Sequence, residues 1–278
     1  MMKKIKGKVY EGERALFKSK GLNIIDCVFQ NGESPLKESK KLKISKSTFS
    51  WKYPLWYCNK ITVNDSLFDI TAKSGIWYTK NAIFNNCQIR APKEFRRSFN
   101  ITLNNCTFSE ASETLWHCDK VKINNVKAIG DYLLMNSSNI TIDTLELEGN
   151  YFADGAKNLV IKNSILNSKD AFWNCENVTI INSSITGEYF GWNSKNVTLI
   201  DCSVESHQGF CYMKNVKLVN CSLRNTTLAF EYSTVNAKIN TRINSVKNPI
   251  SGRIVSKGID ELIKDDCNIK RTKIVVKE

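Results

Sequence analysis

The nine residues from Asn177 to Ile185 are restated nineteen positions later from Asn196 to Val204, and again from Asn215 to Leu223. Earlier copies begin at Asn158, Asn139, Lys120, Asn100, Asn81, Lys60, Lys41 and Gly21, so the spacing stays between 19 and 21 residues. A supersecondary unit this short cannot bury its own apolar face, and neighbouring copies must stack to make a core. One elongated repeat domain is therefore expected over the 278 residues.

Within each copy the second and fourth places are apolar, as in Ile61 and Val63, Ile101 and Leu103, or Val178 and Ile180. Thr62, Thr102 and Thr179 stand between them, which is the alternation of a short half-buried strand. The sixth place is mostly Asn or Asp, including Asn86, Asn105, Asn163, Asn182 and Asn220. Asn tolerates left-handed backbone and can bond its counterpart in the next turn, so a corner belongs here. A second apolar segment follows, ending at Phe29, Phe49, Phe68, Phe108 or Ile185. A third lies upstream of each copy, around Trp56, Trp77, Trp116, Met135, Trp173 and Trp192. Three short strands and three corners per twenty residues describe a single-stranded parallel β-helix of about 11–12 rungs. The Asn- and Thr-rich phrase lacks the leucine density and helical leg of a leucine-rich repeat.

Residues 1–20 are expected to cap the first rung, residues 21–244 to form the rungs, and residues 245–278 to form the second cap. Within that second cap, residues 245–252 read as a turn into a hairpin and residues 258–264 as a short helix. Unprotected strand edges template aggregation, which is why caps are expected.

The formal charge of +13 is concentrated at the ends. Residues 1–60 carry 14 Lys+Arg against 5 Asp+Glu, and residues 241–278 carry 9 against 5, leaving the middle neutral. A nucleic-acid binder interleaves a basic stripe with aromatics on one face, so no nucleic-acid partner is expected. The ten cysteines include no CxxC pair and only two histidines accompany them. Cys27, Cys87, Cys106, Cys202 and Cys221 share the seventh place with Ser47, Ser66, Ser164 and Ser183, while Cys58, Cys118 and Cys175 share another place with Thr79, Ser98, Ser137 and Ser194. They read as small buried residues, with no disulfide and no metal site. The basic start from Met1 to Lys8 has no apolar stretch behind it, so a soluble, cytoplasmic protein without a membrane partner is expected.

The segments between copies carry a resemblance. Residues 12–17, 32–37, 53–57, 77–79, 91–97, 169–174, 187–194 and 245–249 together resemble a family of uncharacterised bacterial proteins, a domain of unknown function placed among pectate-lyase-like right-handed β-helices. The resemblance implies a right-handed winding and supplies no activity. No Asn-Thr-Asp run, Gly-His-Gly turn or Asp-rich column of the enzymes with that fold occurs here.

Stacked rungs turn equal offsets into surface columns. One column reads Trp56, Trp77, Arg96, Trp116, Met135, Asp154, Trp173, Trp192, Cys211 and Phe230. Its charged members argue that it faces outward, with Leu55, Ile76, Phe95, Leu115, Leu134 and Phe172 inside. The next column holds Tyr57, Tyr78, Arg97, His117, Asn136, Asn174, Asn193, Tyr212 and Glu231. An exposed aromatic line marks an interaction surface, and Trp56, Tyr57, Trp77, Tyr78, Trp116, Trp173, Trp192 and Tyr212 are the expected contacts for an oligosaccharide or polysaccharide. Polar corners add Lys73, Lys93, Glu94, Glu113, Asp131, Lys169, Asp170, Glu188 and His207. If the face also cleaves or modifies its ligand, His117, Arg96, Arg97, Asp170 and Glu188 are the catalytic candidates, with no cofactor. The alternative is a non-enzymatic scaffold whose aromatic face is buried in a homo-oligomer.

Overall fold

The computed structural model describes residues 2–266, 268–269 and 271–277. The chain winds as a parallel β-solenoid of about 14 turns, and no helix occurs among the described residues. It divides into two units, residues 1–146 and residues 147–278.

In residues 1–146 the long strands Lys20–Ile25, Lys40–Ser45, Asn59–Asn64, Lys80–Asn85 and Phe99–Asn104 hold the first part of each copy. They pair in parallel and in register, so that Leu42 faces Ile61 and Ile44 faces Val63. Both apolar places are buried and the Thr between them is half-buried. The sixth place turns the corner: Asn86 and Asn105 adopt φ of 53° and 51°. Their amides form a ladder, with Asn86 Nδ2 donating to Asp65 Oδ1 at 3.0 Å, Asn105 to Asn86 at 3.2 Å and Asn125 to Asn105 at 2.8 Å. Short strands such as Thr48–Phe49 and Leu67–Phe68 then send the ninth-place rings inward. Phe29, Phe49 and Phe68 stack at 4.9 and 4.8 Å between centroids and are fully buried. Each such ring contributes about 2–3 kcal/mol through burial.

The third apolar segment is not a strand. Lys93, Phe95 and Arg97 alternate in left-handed backbone, at φ of 63°, 57° and 47°, a pattern that cannot extend a pleated ladder. Turn-to-turn bonds persist, as from Tyr57 N–H to Trp77 O and from Arg97 N–H to Trp116 O, both 2.9 Å. Leu55, Ile76, Phe95 and Leu115 fill the interior as alternation requires.

In residues 147–278 the strands Lys157–Lys162, Glu176–Ile181, Lys195–Ile200 and Lys214–Leu223 repeat the arrangement. Its inner column runs Phe152, Phe172, Phe190, Phe210 and Phe230, with neighbouring centroids 4.9–5.4 Å apart. Phe230 thus leaves the tryptophan column where the sequence spacing put it. Tyr212 N–H donates to Glu231 O, which brings Glu231 and not Phe230 into line with Cys211.

The ladder also enters both segments expected as caps, and the turn count rises accordingly. Lys3–Lys6 pairs in parallel with Lys20–Ile25, while Ser251–Ser256 pairs with Thr234–Ile239 on one side and Arg271–Val276 on the other. The expected hairpin is absent because these pairings are parallel. The expected helix is the strand Gly258–Ile263, paired with Arg242–Lys247, since stacking one period from an existing strand outweighs local preference.

Nine cysteines are free and buried; Cys267 lies outside the described residues. Size is only part of their reason. Cys27 N–H donates to Ser47 Oγ and Ser47 N–H to Ser66 Oγ, both at 3.1 Å, and the Ser66 hydroxyl donates in turn to Asn64 O at 2.7 Å. Small polar side chains at the corners thus satisfy backbone groups that the strand ladder leaves over.

Candidate ligand-binding face

Two adjacent rows run along the surface of residues 1–146. The first is Lys37, Trp56, Trp77, Arg96 and Trp116, one per turn and interleaved. Trp56 stacks on Trp77 with centroids 5.3 Å and planes 9° apart. Lys37 Nζ lies 5.7 Å from the Trp56 ring, and the Arg96 guanidinium sits 5.0 Å from Trp77 and 4.3 Å from Trp116. Each contact is worth about 0.5–2 kcal/mol. The indole N–H groups are pinned too: Trp77 donates to Lys93 O and Trp116 to Tyr132 O, both at 2.6 Å. These rings are half-buried and lie outside the core, with faces committed to the row. A ligand meets mainly their edges. Glu113 completes the arrangement by pairing with Arg96 and, at 3.3 Å, with Lys93.

The second row is Tyr57, Tyr78, Arg97 and His117. All four are in left-handed backbone, with φ between 47° and 59°, which throws their side chains off the core. Tyr57 and Tyr78 stack with centroids 4.7 Å and planes 7° apart, and Tyr57 is 45% exposed. Unlike Arg96, Arg97 and His117 join no ion pair among the described residues.

In residues 147–278 the aromatic column is looser. Trp173 and Trp192 lie 6.0 Å apart at a 40° tilt, Tyr212 is 5.0 Å from Trp192, and Tyr232 is 5.4 Å from Tyr212. Asn193 Nδ2 donates to Asn174 Oδ1 at 2.9 Å and Asn174 Nδ2 to Asp154 Oδ1 at 3.0 Å, an exposed amide ladder. Asp170 is 3% exposed; burial raises its pKa, only partly opposed by Lys169 and a hydrogen bond from Tyr151. Glu188 is outside and pairs with Lys169 at 3.1 Å. The five catalytic candidates therefore separate by unit: Arg96, Arg97 and His117 in residues 1–146, Asp170 and Glu188 in residues 147–278. Among the described residues no three His, Cys, Asp or Glu side chains are placed to hold a metal ion. Burial pushes the thiols of Cys58, Cys118 and Cys175 up to about 12, which removes them as nucleophiles near neutral pH.

A family model described as a protein of unknown function, DUF3737, matches residues 3–277. The chain belongs to that family. No curated protein matches it. Among solved structures it is similar to PfbA, a surface adhesin of Streptococcus pneumoniae, at 11% identity over 98% of this chain and 82% of that one, with a TM-score of 0.42. It is also similar to QnrB1, a plasmid-mediated fluoroquinolone resistance protein, at 12% identity over 81% and 91% with a TM-score of 0.25. HetL, a pentapeptide repeat protein from Nostoc sp. strain PCC 7120, matches at 9% identity over 79% and 92% with a TM-score of 0.23. The solenoid stands on the chain's own ladders, and family membership in DUF3737 brings no activity with it.

One residue grouped with the polar corners belongs elsewhere. Glu94 is 0% exposed, and both its oxygens accept from Gly75 N–H at 2.9 Å. Burial raises its pKa well above the usual carboxylate range, against the pull of the Gly75 and Ile76 backbone. The sequence signal was Gly75, one turn earlier: a Cβ there would lie 2.8 Å from Glu94 Oε2. A side chain is missing where a carboxyl must enter.

Proposed function

We propose that the face formed by Tyr57, Tyr78, Arg97 and His117, beside Trp56, Trp77 and Trp116, binds an extended carbohydrate without cleaving it. The observation that carries this reading is the stacked pair of exposed Tyr57 and half-buried Tyr78, 4.7 Å apart, in line with Arg97 and His117. Phenol hydroxyls, a guanidinium and an imidazole repeating along one row suit the hydroxyls of a polymer, and the pinned indole edges give the row a rigid wall. Binding is favoured over catalysis because Arg96 and Glu188 are each neutralised by a partner and Asp170 is buried. A right-handed, pectate-lyase-like winding and a reducing, cytoplasmic location belong to the same proposal; the resemblance carried by the segments between copies supports the first and the nine free thiols the second.

The test is a screen of plant, bacterial and storage polysaccharides read through intrinsic Trp fluorescence, with Tyr57→Ala, Tyr78→Ala and Arg97→Ala variants. A ligand whose affinity falls about tenfold in each variant is expected, corresponding to about 1.4 kcal/mol per lost contact. Silence across the panel overturns the reading. A dimer by light scattering whose Trp emission is blue-shifted, and which these variants dissociate, would favour the homo-oligomeric scaffold in its place.

A further inference from the structure

A groove of about 800 Å³ opens at the start of the same unit, lined by Lys18, Ser19, Lys20, Lys37, Glu38, Lys40 and Tyr57. Its residues come from three successive turns. Lys20 and Lys40 are register partners on adjacent strands, and Lys18 N–H donates to Lys37 O at 3.0 Å, which sets the corner lysines beside them. Four lysines thus line the groove with one carboxylate, Glu38, whose ion pair is with Lys18, at 3.5 Å. Lys20, Lys37 and Lys40 have no acidic partner among the described residues, and Lys37 Nζ rests 5.7 and 5.8 Å from the Trp56 and Tyr57 rings.

Like charges gathered in a concave wall repel one another, and the fold gains nothing from them that neutral residues would not supply. We infer that this groove is an anion site for a compact ligand carrying two or more phosphoryl groups. Four charges against one leave an excess of three, which a lone carboxylate would not balance. The donors are all lysine, a compact point charge that serves phosphoryl oxygens, and no arginine fork matched to a carboxylate is present. The three-turn reach spans about 10 Å at the usual strand spacing, room for a short phosphoryl chain. Ser19 and Tyr57 add hydroxyls to the wall. The inference does not rest on the saccharide reading, with which it shares only Tyr57 and the edge formed by Lys37 and Trp56.

Isothermal titration of the full chain with inorganic tripolyphosphate at low ionic strength tests it, because that probe contains no sugar. Saturable binding is expected, weakened about tenfold by Lys37→Gln or Lys40→Gln, lost when both are combined with Lys18→Gln and Lys20→Gln, and unchanged by the exposed Lys122→Gln. Added salt weakens it by screening. Thermal melts of these surface variants confirm that they fold. The inference is overturned by absence of saturable binding, by equal binding to the fourfold variant, or by equal response to sulfate at matched ionic strength.

Discussion

Glu94 shows what one buried carboxyl does to a solenoid core. Its folded pKa is raised, so the protonated acid is the form that fits beneath Gly75. The sign follows from linkage: a carboxyl raised by folding stabilises fully below the ordinary carboxylate range, and that stability is lost as pH climbs toward the folded pKa. Glu94→Gln resembles the protonated acid at every pH. The expected outcome is a melting-temperature difference, variant minus wild type, that grows from pH 4 toward pH 8. Parallel curves across that range would show that burial costs this carboxyl nothing. The residue also marks a limit of sequence reading. Its neighbours Lys93 and Arg97 are surface charges, and only the left-handed alternation between them turns Glu94 inward. That alternation has no compositional signature, because non-glycine residues of many kinds adopt it here.

At the scale of the element, the corner after each long strand depends on the sixth-place amide twice over. Asn105 sits at φ 51°, receives a bond from Asn125 and gives one to Asn86. Asn105→Ala removes both bonds and the short polar side chain through which Asn tolerates left-handed backbone, at an expected cost of about 2–3 kcal/mol. Asn105→Gly loses the same bonds but tolerates the backbone, so a smaller loss is expected. Urea unfolding of both variants checks the order; an alanine variant as stable as wild type would mean that the ladder is ornament. This corner was legible because Asn recurs at a fixed place. Ile61 and Val63 with Thr62 likewise announced the long strand through alternation. The segment around Trp56 misled, since its apolar run has a strand's composition while its backbone is a series of turns. The end segments misled the other way: residues 3–6 and 251–256 lack the phrase yet pair as strands, because an open ladder offers hydrogen bonds to any extended neighbour one period away.

For the whole molecule, the repeat determines chemistry as much as shape, and the thiols are where this is measurable. A period that places Ser or Cys at the same corners puts each of them against a backbone carbonyl: Cys27 Sγ donates to Ile25 O at 3.3 Å and Cys175 Sγ to Ala153 O at 2.9 Å. None of the nine described thiols is more than 3% exposed. Burial also pushes Cys202 up to about 11 and Cys211 up to about 12, so little thiolate exists near neutral pH even where reagent enters. Cys87 and Cys106, one turn apart, are coupled instead: the hydrogen bond between them raises the Cys87 thiol and lowers that of Cys106 against its burial, so Cys106 is protected by its 1% exposure and not by its pKa. With ten cysteines in the chain, an Ellman titration of the native protein is expected to show at most one promptly reacting thiol, and ten after unfolding in guanidinium. Two or more prompt equivalents would mean that turns open on the timescale of labelling, and the surface rows would then lack the rigid backing that their stacked rings imply.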